Sequence, residues 1–198
     1  TGVSLVPDDD PQRYWDIASG WAAEWVDARC QEVGTRGVLA TNSLDHLGVP
    51  SLQWFAQRHM RTSRLSKSDV PHGVPVLSYV TEAENLHHAA NVAKNSSIAV
   101  VEGGLFPLAG WAAWWEAIDL TTNRPTPPLS DTIREAVGRL QFNGNNNFGD
   151  PFGKQQARSI LDTIPMDDQT SDVILGAVLA AGVRPKGVKN LRHLIEAY

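Results

Sequence analysis

Cysteine is almost missing from this chain: Cys30 is the only one in 198 residues. That excludes a disulfide framework and a thiolate zinc site. A lone thiol also fits a reducing compartment. No apolar run approaches ~18 residues, so no membrane-spanning helix is expected. The N-terminal TGVSLVPDDD has neither a basic n-region nor a long apolar h-region, so no signal peptide is expected in it. These readings point to a cytoplasmic protein with no membrane partner. Positive charge is not in excess: 17 Lys and Arg stand against 22 Asp and Glu, a net −5. A chain basic over its whole surface is excluded, while a local basic patch is not. Catalytic signatures are missing as well. There is no GxSxG elbow, no GxxxxGK[ST] loop, and no HExxH or HxxxH pair. No repeat of 20–50 residues is present.

What is there reads as a folded globular chain. Hydrophobic residues make up 42% and charged residues 20%, enough apolar surface to offset chain entropy. The length allows one domain, or one domain with a small appendage. Charge is unevenly spread: residues 1–32 hold seven acids and two arginines, a net −5, while residues 153–198 carry a net +1. The acidic stretch reads as a solvated face, with a mask over a basic partner as the sharper alternative.

Periodicity predicts a helix over 11–33, with Tyr14, Ala18, Trp21 and Trp25 on one face, Asp10 as cap and Pro11 at its first position. Val38–Ala40 reads as a short strand. A helix is expected over Ser51–Met60 with Ser51 as cap, then a polar loop over 61–73. Val74–Val80 reads as a second strand. Thr81 to Glu84 has capping-box spacing and opens a helix to about Lys94. Ser97–Val101 (SIAVV) is continuously apolar, as buried parallel strands are. Strands alternating with helices argue for an α/β fold with a small three-stranded, mostly parallel sheet. A helix over Leu108–Ile118 is expected to cover that sheet. Trp111, Trp114 and Trp115 span more than one narrow stripe, which points to an exposed tryptophan, with Trp114 the choice. Residues 1–122 form the α/β region. The Pro-rich connection 123–130 (NRPTPPLS) follows, and 131–198 is a helical region packed with the first as one unit. In the helical region, helices are expected over Thr132–Phe142, with Ser130 or Asp131 as cap, and over Gly153–Ile164, Ser171–Ala181 and Pro185–Ala197.

The least ordinary segment is the loop from Asn143 to Lys154. Its asparagines and glycines permit tight backbone, and Asn143, Asn145, Asn146, Asn147 and Asp150 offer donors and acceptors. Lys154 and Arg158 lie early in the following helix, whose N-terminus attracts anions. A phosphate or carboxylate cradle is the functional reading. A capped helix connection with Phe148 and Phe152 plugging the core is the structural one.

The second candidate is the set of strand ends, where ligands of parallel α/β sheets sit. These carry Thr41, Asn42, Ser43 and Asp45, then Tyr79, Thr81 and Glu82, then Glu102 with Gly103 and Gly104. Glu102 is the best single catalytic or metal candidate. Asp45 with His46 could serve as an acid/base pair. The alternative readings are a capping carboxylate and a surface histidine. His87 and His88 are adjacent on a helix and cannot face one metal together. Cys30 reads as a packed small hydrophobe.

Two basic stripes stand out. Arg58, Arg61, Arg64 and Lys67 step by three with no acid between them. Arg184, Lys186, Lys189 and Arg192 fall within nine residues on a helix–Gly182–helix element. That is the gross layout of a helix-turn-helix, and equally of any αα-hairpin.

The leading functional expectation is a binding or regulatory module for a nucleotide-like ligand or a nucleic-acid anion. It would use the Asn-rich loop and the basic stripes, and would not be an enzyme. One alternative is a metal-assisted phosphoester or nucleotide hydrolase at the strand ends. Another is a protein–protein adaptor using an exposed tryptophan and the acidic N-terminal helix. No cofactor is indicated, and exposed sheet edges suit a homodimer.

Overall fold

The structure is a computed structural model that describes residues 2–8, 13–42, 48–62, 70–165 and 167–197, without the side chains of 168 and 169. Among these residues the strands are β1 (Gly2–Val6), β2 (Val38–Thr41), β3 (Met60–Thr62), β4 (Val76–Tyr79), β5 (Ser97–Val101), β6 (Ile118–Asp119) and β7 (Arg124–Pro125). The helices are α1 (Trp15–Val33), α2 (Pro50–Arg58), α3 (Ala83–Val92), α4 (Ala109–Trp115), α5 (Asp131–Asn143), α6 (Pro151–Leu161), α7 (Asp168–Ala180) and α8 (Pro185–Ile195). The chain forms two compact units, Thr1–Phe106 with Ala117–Pro125 and Pro107–Glu116 with Thr126–Tyr198.

The sheet unit is α/β, as expected, but its sheet has seven strands among the described residues, not three, in the order β3-β2-β4-β5-β1-β6-β7. β2, β4 and β5 are buried at every position, which accounts for their continuous apolar runs. The additional strands are short or lie where the sequence gives no run of that kind. β1 slots in parallel between β5 and β6, and β3 pairs in parallel along β2. β6 and β7 contribute two residues each as an antiparallel hairpin, so the sheet is mixed. Register aligns Thr41, Tyr79, Val101 and Val6 in one row across β2, β4, β5 and β1. The residues one step beyond that row form the carboxyl edge of the sheet.

α1 and α2 cover one face of the sheet over Leu39, Leu77, Ala99 and Val101. Of the face expected on α1, Ala18 is buried and Trp25 packs half-buried against the core, but Tyr14 and Trp21 lie outside it. Ala18, Ser19, Ala22, Ala23, Val26 and Cys30 point inward, while Tyr14 is 76% exposed and Trp21 is 38% exposed. Small side chains let the helix lie close to the sheet, which an inward row of rings would prevent. Gly34 ends α1 in the left-handed conformation at φ 66°. The expected cap Asp10 and Pro11 lie outside the described residues, and Tyr14 holds the N-cap position. Ser51 does not cap α2. Its backbone N–H donates to Asp16 Oδ1 of α1 (2.8 Å), so the capping carboxylate comes from another helix. The capping box at Thr81 is also not made: the Thr81 hydroxyl bonds that of Ser78 (2.7 Å), and Glu82 is the N-cap of α3.

In the helical unit, α4 packs on α7, and Ile118, expected at the end of that helix, belongs to β6 instead. Gly110 and Gly176 face each other at the crossing, where a Cβ on Gly110 would lie 1.7 Å from the Val173 carbonyl oxygen. Trp111 is buried in this crossing, whereas Trp115 is 50% exposed and Trp114 lies half-buried under Arg134. Of these three the exposed tryptophan is Trp115, not Trp114, because α4 ends at Glu116 in the left-handed conformation and Trp115 sits on its last turn. Ser130 caps α5 through the Ile133 N–H. Asp150 and Asp167 cap α6 and α7 through the N–H groups of Gly153 (2.7 Å) and Thr170 (2.6 Å).

Candidate functional site

The carboxyl edge of the sheet gathers several of the expected residues. Glu102 follows β5, and its Oε2 accepts the backbone N–H of Asp8, two residues past the end of β1 (3.1 Å). Asn42 follows β2. Its Nδ2 donates to the Val80 carbonyl (2.9 Å), and its Oδ1 accepts from Glu82 N–H (3.1 Å) and Asn85 Nδ2 (2.8 Å). Asn42 thus ties β2 to the start of α3, and its side chain is committed to the fold. Val80 itself has φ 47°, a strained backbone for a β-branched residue, and Gly103 gives it room: a Cβ there would lie 2.4 Å from Val80 Cγ1. Thr41 is buried, as is Tyr79, whose hydroxyl pKa is raised by burial against a hydrogen bond with Ser19. Asp119 closes the β6–β7 turn on Thr121 and Thr122. Burial pushes its carboxyl up, but the hydrogen bonds from Thr121 and Thr122 together outweigh that and hold it below the ordinary value. Asp45 and His46 lie outside the described residues. Among the described residues, no group of three or more His, Cys, Asp or Glu is placed to hold a metal ion.

The Asn-rich segment is a tight, self-bonded connection. α5 runs through Asn143 into a 3-10 turn at Gly144–Asn146, and Asn147 and Phe148 then take positive φ. Asn143 Nδ2 donates to Arg139 O (2.8 Å), Asn145 Nδ2 to Phe142 O (3.2 Å) and Asn146 Nδ2 to Asp150 Oδ2 (3.0 Å). The Asn147 carbonyl accepts Asn190 Nδ2 of α8 (2.8 Å). The place an anion would take at the α6 N-terminus is held by the Asp150 carboxylate, whose pKa is lowered by the Gly153 N–H and the Asn146 amide. Lys154 and Arg158 lie one turn apart on exposed positions of α6. Phe148 is fully buried and plugs the core as expected, but Phe152 is 68% exposed because it points off the first turn of α6.

The basic stripes differ in character. Arg58 stacks over the Trp54 ring at 4.4 Å, and its carbonyl accepts Arg36 Nε. Arg61 is exposed on β3, while Arg64 and Lys67 lie outside the described residues. The C-terminal stripe is built on α8. Arg184 is its N-cap, and Val188, Leu191 and Leu194 turn inward. Lys186, Lys189 and Arg192 share the opposite side with His193, which pairs with Glu196 at 3.3 Å. None of Arg184, Lys186, Lys189 and Arg192 has an ion pair among the described residues.

Sequence reading missed a cleft of about 510 Å³ in the helical unit. Gly138, Gln141, Phe142 and Asn145 line one wall at i, i+3, i+4 and i+7, and Gly182, Val183 and Arg184 line the other. It joins two residues of the Asn-rich loop, Gly144 and Asn145, to Arg184 of the basic stripe. The signal available in the sequence was the i, i+4 spacing of Gly138 and Phe142 on α5.

A second cluster lies at the amino edge of the sheet. His59 is buried. Its Nδ1 faces the Gly37 N–H (3.0 Å) and must accept, so Nε2 carries the proton and donates to Asp27 Oδ1 (2.9 Å). Cys30 lies beside them, its thiol pushed up to about 11 by burial and by Asp27, partly offset by the Gly37 N–H. These groups are spent on joining α1 to β2 and α2.

Comparison of the chain with models of protein families, with curated proteins and with solved structures gave no match.

Proposed function

We propose that the helical unit is a binding module for the phosphate backbone of a nucleic acid, engaged along α8. The observation that carries this reading is the run of Arg184, Lys186, Lys189 and Arg192, without ion pairs among the described residues, on a helix whose Val188, Leu191 and Leu194 are buried on the other side. Cations left unpaired cost little in water and gain by releasing the counterions of a polyanion. The layout α7, a short turn with Gly182 at φ 100°, then α8 supports the same reading, since it presents α8 to a ligand on its outer side. The α6 N-terminus is the weaker place for an anion, because Asp150 already supplies a negative charge there.

The test is fluorescence anisotropy of a labelled oligonucleotide at low salt. Lys186→Glu with Lys189→Glu is expected to weaken binding at least ten-fold, with helicity unchanged. Lys154→Glu, on α6, is expected to change it by less than three-fold. Loss on Lys154→Glu alone would move the site to the Asn-rich loop and overturn this assignment.

A further inference from the structure

We infer that the cleft between α5 and the α7–α8 turn receives one unpaired nucleobase, so that the preferred ligand is single-stranded; this rests on the nucleic-acid reading of α8. The first observation is Phe142. It is 79% exposed, and of the exposed phenylalanines of this unit, Phe142 and Phe152, it is the one that lines the cleft. An exposed flat ring on a cleft wall is a stacking platform, and bases of every kind stack on aromatic side chains. The second is space. About 510 Å³ lies within the range of small-ligand clefts. Gly138 and Gly182 line it, and a Cβ on either would meet nothing within 4 Å. No neighbour therefore fills the cleft at either glycine.

The third is polarity. Gln141 brings both an amide donor and an acceptor. Asn145 donates through Nδ2 to the Phe142 carbonyl, which fixes its amide and leaves Oδ1 as an acceptor. These groups match the hydrogen-bonding edge of a base, which is free only when the base is unpaired. The fourth is continuity of charge. Arg184 lines the cleft and is also the N-cap of α8, so a phosphate attached to a base in the cleft would meet Arg184 and then the Lys186 and Lys189 side of the helix. A duplex offers the phosphates but keeps its bases stacked and paired, so it uses α8 alone.

The experiment compares three labelled probes of equal length by anisotropy with the full chain: a thymidine strand, an abasic strand and a duplex. Wild type is expected to bind the thymidine strand about ten-fold more tightly than the abasic strand. Phe142→Ala removes an exposed ring, and Gly138→Leu fills the cleft from an open helical position. Both are expected to abolish that preference and leave abasic binding unchanged. Competition by thymidine monophosphate supports the cleft with a free nucleotide as ligand, and its absence with the preference intact supports a strand. Equal binding of thymidine and abasic strands overturns the inference while leaving α8 as a phosphate site. Binding of none of the three probes overturns the reading of α8 as well.

Discussion

The same substitution at two glycines of the helical unit should change stability in opposite directions. At Gly110 an added Cβ would lie 1.7 Å from the Val173 carbonyl oxygen, 2.6 Å from the Val173 carbonyl carbon and 2.9 Å from the Ala177 nitrogen. All three are backbone atoms of α7, so no rotamer change relieves the contact. Restoring an ordinary separation of roughly 3.5 Å requires α4 and α7 to part by about 1.5–2 Å there. That opens the layer around Trp111, Ala112, Ala177 and Val178, all of them buried. Overpacking in a close-packed core costs about 1–3 kcal/mol, and a backbone clash belongs at the upper end. The gain in helix propensity, about 0.5–1 kcal/mol, offsets only part of it. At Gly138 a Cβ meets nothing within 4 Å, so only the propensity gain applies. Thermal unfolding followed by far-ultraviolet circular dichroism should show Gly110→Ala lowering Tm by roughly 10 °C or more and Gly138→Ala raising it by roughly 2–8 °C. A Gly110→Ala protein as stable as wild type would refute the close helix crossing.

Further outcomes follow from the buried polar groups and caps. Cys30, buried with its thiol pushed up to about 11, should resist an aromatic disulfide reagent at pH 8 in the native protein and react fully in denaturant; rapid native reaction would contradict the packing of α1. His59→Leu strands the Gly37 N–H and the Asp27 carboxylate, and should lower sheet-unit stability by about 2–3 kcal/mol, read as a lower urea midpoint with unchanged slope; no change would contradict the hydrogen-bonded join. Asp150 and Asp167 have depressed pKa values in the folded state, set first by the N–H groups of Gly153 and Thr170. Their contribution is therefore present above the unfolded value of about 3.9 and lost as pH falls through the lower folded value. Melting between pH 6 and pH 3 should show a smaller fall in Tm for Asp150→Asn with Asp167→Asn than for wild type; an equal fall would mean the caps are not made.

How much of this was legible depends on what kind of signal each element carries. β2, β4 and β5 were readable because burial on both faces leaves a continuous apolar run. β6 and β7 were not, since two residues carry no period and only pairing defines them. β1 is the costlier omission: GVSLV sits inside the sheet, between β5 and β6, but reads as a plain N-terminal stretch. In α1 the 3.6 spacing was right and the face right only at Ala18 and in part at Trp25, because alanines and aromatics both recur at helical intervals and only close approach to the sheet selects the alanines. Caps within a few residues, such as Ser130, could be read locally. The Asp16 cap on α2 spans 35 positions and could not. The cleft was hidden for the same reason, since Asn145 and Arg184 meet only through the packing of α5 against α7 and of α7 against α8.

The salt dependence of oligonucleotide binding tests the central claim most directly. If Arg184, Lys186, Lys189 and Arg192 each contact a phosphate of a single strand, the logarithm of the binding constant should fall with the logarithm of salt at a slope of about −3. Lys186→Ala with Lys189→Ala should bring that slope to about −1.4 and weaken binding at low salt. The account predicts both changes together. An unchanged slope and affinity in the double variant would contradict it.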